Sequence, residues 1–111
     1  MSSLRLVIVE SPFSGDVERN LAYARRAISD CLRRGESPFA SHLLFTQPGV
    51  LDDSIAEERV NGIAAGLAWA ERADATVVYT DLGISSGMRQ GIEHAERFNR
   101  PIEYRSIGGS L

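Results

Sequence analysis

Residues 75–95 read ATVVYTDLGISSGMRQGIEHA. The first six, ATVVYT, are β-branched and apolar, as a buried strand requires. The run ends in an acid, Asp81, and a short turn through Gly83. A Ser85-Ser86-Gly87 triplet follows, and then a helical pattern from about residue 86 to 99, with Met88, Ile92, Ala95 and Phe98 on its apolar side. This is a strand, a loop and a helix N-terminus. In a parallel α/β sheet such junctions bind ligands, because strand carboxyl ends and helix amino ends converge there. The first N–H groups of a helix lack internal acceptors and attract phosphate or carboxylate.

The flanking sequence supplies the rest of such a sheet. Residues 4–9 (LRLVIV) predict a first strand, ended by the turn-rich loop from Glu10 to Asp16, ESPFSGD. Asp16 or Ser14 can cap a helix over 17–34, whose stripe runs through Leu21, Ala24, Ala27, Ile28, Cys31 and Leu32, with Gly35 as its stop. Residues 37–45 (SPFASHLLF) predict a short second strand opening into a loop. Ser54, with Glu57 and Glu58, marks the start of a second helix to about residue 72. Gly62 and Gly66 lie inside that helix, which predicts close approach of its backbone to the sheet or to another subunit. Trp69 is read as a packing residue. After Arg100-Pro101, residues 102–105 (IEYR) give a last strand, and 107–111 a Gly-rich tail.

Right-handed crossovers turn this βα order into an open parallel sheet with helices on both faces. The expectation is one α/β domain over residues 1–111, a Rossmann/flavodoxin-like α/β/α sandwich of strand order 2-1-3-4. Its switch point lies between strands 1 and 3, where the loops 11–16 and 81–87 emerge together.

Composition narrows the function. The chain of 111 residues carries a net charge of −3, and its 12 basic residues, all arginines, form no basic tract. Duplex nucleic acid is thereby excluded as an expected partner. No apolar run approaches a membrane span, and the N-terminus lacks a signal-peptide pattern. A lone Cys31 gives no disulfide framework and points to the cytoplasm. Two histidines and scattered carboxylates offer no metal-ligand spacing, and no cofactor fingerprint is present. Asp81 and His42 stand where they can meet a ligand. So do the residues of the first loop, Ser11, Pro12, Phe13, Ser14 and Gly15, and those of the helix start, Ser85, Ser86, Gly87 and Met88.

The first-strand SPFSGD loop, the PFASHLLF segment, the LDDSIAEERVNGIAAGLAWAERAD helix and the TDLGISSGM…IEHA segment together resemble the nucleoside 2-deoxyribosyltransferase-like superfamily, nearest to its small bacterial and phage members. The resemblance implies a nucleoside or nucleotide ligand and no cofactor. In that superfamily a Glu attacks the anomeric carbon of an N-glycoside. The resemblance further implies Asp81 on the sugar side, Ser85, Ser86 and Gly87 on the phosphate, and Ser11 to Gly15 with His42 lining the pocket. Gly91 stands where those enzymes carry the Glu. Glu93 lies about 200° further round the helix and Gln90 about 100° off. Glu10 is the best-placed replacement carboxylate, with Asp52, Asp53, Glu57 and Glu58 as further sources. Three functions are therefore expected in order: a nucleotide-binding protein lacking the usual nucleophile, an N-glycoside hydrolase or deoxyribosyltransferase acting on a nucleoside monophosphate with a relocated carboxylate, and an interaction protein with a vestigial pocket. Homo-oligomerisation is expected under all three.

Overall fold

A computed structural model describes residues 4–108. The end of the Gly-rich tail, 109–111, lies outside the described residues. Four parallel strands, β1 (Arg5–Glu10), β2 (Glu36–Phe39), β3 (Ala75–Tyr79) and β4 (Ile102–Arg105), form one sheet of order β2-β1-β3-β4. The expected topology holds. Helix α1 (Val17–Arg33) covers one face, and α3 (Ala56–Ala70) and α4 (Ser86–Arg97) lie towards the other.

Strand alternation divides the side chains. Val7, Val9, Val77 and Tyr79 are buried in one cluster with Tyr23, Ala27 and Cys31 of α1. Val78 is buried in the other, with Met88 and Ile92 of α4. By the same period of two, Ile8, Glu10 and Thr76 face the α3/α4 side. Cys31 is fully buried, and Gly35 ends α1's turn at φ +78°, where a side chain would be strained. On the α1 side, the Arg105 guanidinium holds Glu36 through Nη1 at 2.8 Å and Nη2 at 2.7 Å.

Several local expectations change. The second strand stops at Phe39, and residues 41–44 form a four-residue helix, α2 (Ser41–Leu44). Thr46, just beyond it, closes the turn locally, its Oγ1 donating to the His42 carbonyl at 2.6 Å. Ser54 does not cap α3. Its amide and hydroxyl both donate to Asp52, and α3 begins at Ala56 with Ile55 as an uncapped N-cap. Gly62 and Gly66 do mark close approach, but to residues 41–51 and not to the sheet: a Cβ at Gly66 would lie 2.5 Å from Ser41 Oγ, and one at Gly62 3.1 Å from a Leu51 methyl. Phe98 stays half exposed beside His94, and Trp69 lies outside the core with its ring against Phe39 at 5.7 Å.

Candidate functional site

Helices α3 and α4 leave a cleft between them over the β1 strand, with a cavity of about 290 Å³. Ile8 and Glu10 of β1 form its floor. At the strands' carboxyl edge it opens between the first loop, α2 and the start of α4. A broader open groove of about 830 Å³, lined by residues of 13–17 and 46–59, adjoins it and shares Phe13, Ser14, Asp53 and Arg59.

The start of α4 follows from its sequence. Ser85 Oγ accepts from the Met88 amide at 3.3 Å, while Met88 Sδ accepts from the Ser85 amide at 3.3 Å. This reciprocal cap fixes the helix end and leaves the first-turn amides of Ser86 and Gly87 without intrahelical acceptors. Ser85, Ser86, Gly87 and Met88 all line the cavity. A Cβ at Gly87 would have no neighbour nearer than Ser85 Oγ at 4.0 Å, so the space before these amides is open.

Opposite them stand Ser11 and His42, which share a hydrogen bond at 2.7 Å between Oγ and Nε2. Desolvation pushes the His42 pKa down to about 4, so the ring is neutral at pH 7. The first loop is held from behind by buried Asn20, whose Nδ2 donates to the carbonyls of Phe13 and Ser14 at 2.9 and 3.0 Å.

Glu10 lies on the floor of the cleft. Its carboxylate lies against Gly91, so closely that a Cβ added there would overlap it. Gly91 is therefore the reason the carboxylate has a seat. Burial pushes the Glu10 pKa up to about 8, although the positive charge of Arg100 pulls the other way. Arg100 also lines the cavity and is only 8% exposed. Its Nε donates to Thr76 Oγ1 and its Nη2 to His94 Nδ1, each at 2.9 Å.

Of the residues singled out in the sequence, Glu10, Ser11, Phe13, Ser14, His42 and the 85–88 segment are brought together. Pro12 is buried beside them without lining the cavity, and Gly15 lines the adjoining groove. Asp81 sits apart from the cavity lining. Its carboxylate accepts from Tyr23 Oη at 2.5 Å, Ser106 Oγ at 2.6 Å and the amides of Ile107 and Gly108 at 2.9 and 3.0 Å. Desolvation opposes its ionisation, but those bonds, led by Ser106 and Tyr23, hold it well below the usual carboxylate range. Asp53 lines the cavity, while Asp52 and Glu58 face the adjoining groove and Glu57 lines neither. Arg100 lines the cavity with no signature in the sequence, while Gly66, read there only as a point of close approach, also lines it. Among the described residues, no group of three or more His, Cys, Asp or Glu could hold a metal ion. No helix among them is long and apolar enough to cross a membrane.

A family model, the Domain of unknown function (DUF7768), matches residues 5–105. The chain belongs to that family. No curated protein matches it. Among solved structures, it is similar to a 2-deoxyribosyltransferase from the psychrotolerant bacterium Bacillus psychrosaccharolyticus, described as a biocatalyst for nucleoside synthesis, with a TM-score of 0.64 and 18% identity over 96% of this chain and 75% of that one. At that identity the likeness establishes a shared fold. This DUF7768 chain thus has the α/β architecture of a deoxyribosyltransferase.

Proposed function

We propose that this DUF7768 domain binds a nucleoside monophosphate or related nucleoside in the cleft between α3 and α4. The observation that carries this reading is the juxtaposition of an open helix N-terminus, at Ser85 to Gly87, with a cavity floored by Glu10 and Ile8. The helix end suits a phosphate through its amides, the Ser86 hydroxyl and the helix dipole. Ser11 and His42 supply neutral hydrogen-bonding groups for a sugar. The fold shared with a deoxyribosyltransferase supports the ligand class. Asp81 takes part as a positioning residue, tying the loop after β3 to the chain after β4. Calorimetric titration with a panel of nucleosides and their 5′-monophosphates tests the proposal. Absence of binding across the panel, by protein with a cooperative thermal transition, contradicts it.

The seating of Glu10 against Gly91 favours a second reading, N-glycoside cleavage. A carboxyl from β1 enters the space beside the helix position where the resembling enzymes carry theirs. With its pKa near 8, Glu10 is mostly protonated at pH 7, so it is suited to protonate the base as the C1′–N bond breaks and water adds at C1′. Chromatography for free base after incubation with the same panel distinguishes binding from cleavage.

We also propose self-association, supported by the exposed Leu6 and Trp69 along one groove. Sedimentation at several concentrations tests it.

A further inference from the structure

Arg100 lines the cavity without a carboxylate in direct contact. It is more than nine-tenths buried, yet its hydrogen-bond acceptors, Thr76 Oγ1 and His94 Nδ1, are uncharged, because His94 accepts as a neutral imidazole. Among the described residues it makes no ion pair within 4.0 Å, and its Nη1 has no hydrogen-bond acceptor. Buried guanidinium groups are costly unless their donors are used. The two anchored nitrogens fix the plane of the fork, so little ordering remains to be done when the free donors are used.

Position adds to this. Thr76 lies two residues before Val78, the β3 partner of Glu10. Thr76, which anchors the Arg100 guanidinium, therefore lies about 7 Å further from the strands' carboxyl edge than Glu10, towards the inner end of the cleft. The cavity that Arg100 and Glu10 share is walled by the apolar Ile8, Ile63, Leu67, Ala70 and Met88, with the Glu10 carboxyl nearer the mouth. A mostly apolar slot closed by a fixed, donor-only fork fits a flat ring that carries acceptors on its far edge.

We propose that the inner end of the cleft is a nucleobase slot, and that Arg100 selects 6-oxopurines by donating to O6 and N7. This inference rests on the nucleotide-binding reading above and deepens it by naming the base. Adenine presents an amino group at position 6, whose hydrogens would face a guanidinium that has no acceptor. Arginine reads guanine in the same way in nucleic-acid grooves, and a bidentate pair of this kind discriminates by roughly 5- to 150-fold.

The test compares inosine, guanosine, adenosine and 7-deazaguanosine 5′-monophosphates by calorimetry on the unmodified protein. The expected result is binding of the inosine and guanosine nucleotides about tenfold or more tighter than adenosine, and a loss of about tenfold when N7 is removed. Arg100→Lys, which keeps the charge and loses the fork, should reduce the oxo-over-amino preference below about threefold. The protein-side variant is dispensable, because the ligand series alone decides the matter if Arg100→Lys does not fold. Equal affinities, or tighter adenosine binding, overturn the base assignment and leave nucleotide binding standing. Failure of all four nucleotides to bind overturns the nucleotide reading itself, and this inference with it.

Discussion

The Glu10 carboxylate occupies the space that a side chain at Gly91 would need. The two residues come from opposite ends of the chain, one closing β1 and the other in the middle of α4. Their contact seats a strand carboxylate against the middle of α4. It follows that residue 91 controls the site through Glu10.

Gly91→Ala should therefore act on binding more than on stability. Alanine gains up to about 1 kcal/mol of helix propensity over glycine. Its methyl group displaces the far end of a flexible Glu side chain, which is a smaller cost than moving backbone. The expected outcome is a Tm within a few degrees of the parent, with nucleotide affinity reduced about tenfold or more. Parallel thermal denaturation and calorimetry measure both.

Gly87→Asp separates the phosphate end from the rest. A Cβ there meets nothing nearer than Ser85 Oγ at 4.0 Å, and an acid in the first helical turn is favourable by roughly 0.3–1 kcal/mol. The same charge repels a phosphate. Binding of nucleoside monophosphates should fall at least tenfold, while unphosphorylated nucleosides keep their affinity.

The pH dependence of stability should carry the signature of Glu10. Its pKa rises from 4.5 to about 8 on folding, so its contribution is complete below pH 4.5 and is lost as pH climbs towards 8. Glu10→Gln removes this slope. The variant should gain roughly 1–3 kcal/mol over the parent at pH 9, after allowance for water in the open cleft, and little at pH 5. Denaturant unfolding at the two pH values is the check.

His42 has the opposite sign. Its pKa falls from 6.5 to about 4, so its contribution is present above pH 6.5 and is lost as pH drops through 4. NMR of the imidazole should show a titration midpoint near 4 and no change between pH 6 and 8. Ser11→Ala leaves the ring without its partner and should destabilise the protein by about 1–3 kcal/mol.

Asp81→Asn distinguishes a positioning residue from one that touches the ligand. The amide cannot accept as the carboxylate does from Tyr23, Ser106 and two backbone N–H groups. A stability loss of about 1–3 kcal/mol with nucleotide affinity unchanged within twofold is expected. A selective loss of affinity at unchanged Tm would place Asp81 on the ligand instead.

The sheet is legible because its two central strands, β1 and β3, are β-branched runs closed by turns, and a right-handed parallel connection admits few orders. The start of α4 was legible because caps are local: Ser85 and Met88 are three residues apart. Asp81's partners were not legible, since they lie in α1 and in the chain after β4. Nor was Arg100, whose anchors on Thr76 and His94 exist only once β3 and α4 are packed. The second strand is shorter than the sequence predicts because Leu43, Leu44 and Phe45 have the apolar run of a strand but lie in and after α2. A four-residue helix leaves too short a period to tell the two apart.

The central claim is that this cleft binds a nucleotide through the N-terminus of α4. Calorimetric titration of the parent and Gly87→Asp proteins with a purine nucleoside and its 5′-monophosphate tests it most directly. The predicted result is saturable binding of both ligands by the parent, tighter for the monophosphate, with that advantage abolished by Gly87→Asp. Saturable binding of neither ligand by the folded parent protein, or a phosphate advantage that survives Gly87→Asp, would contradict it.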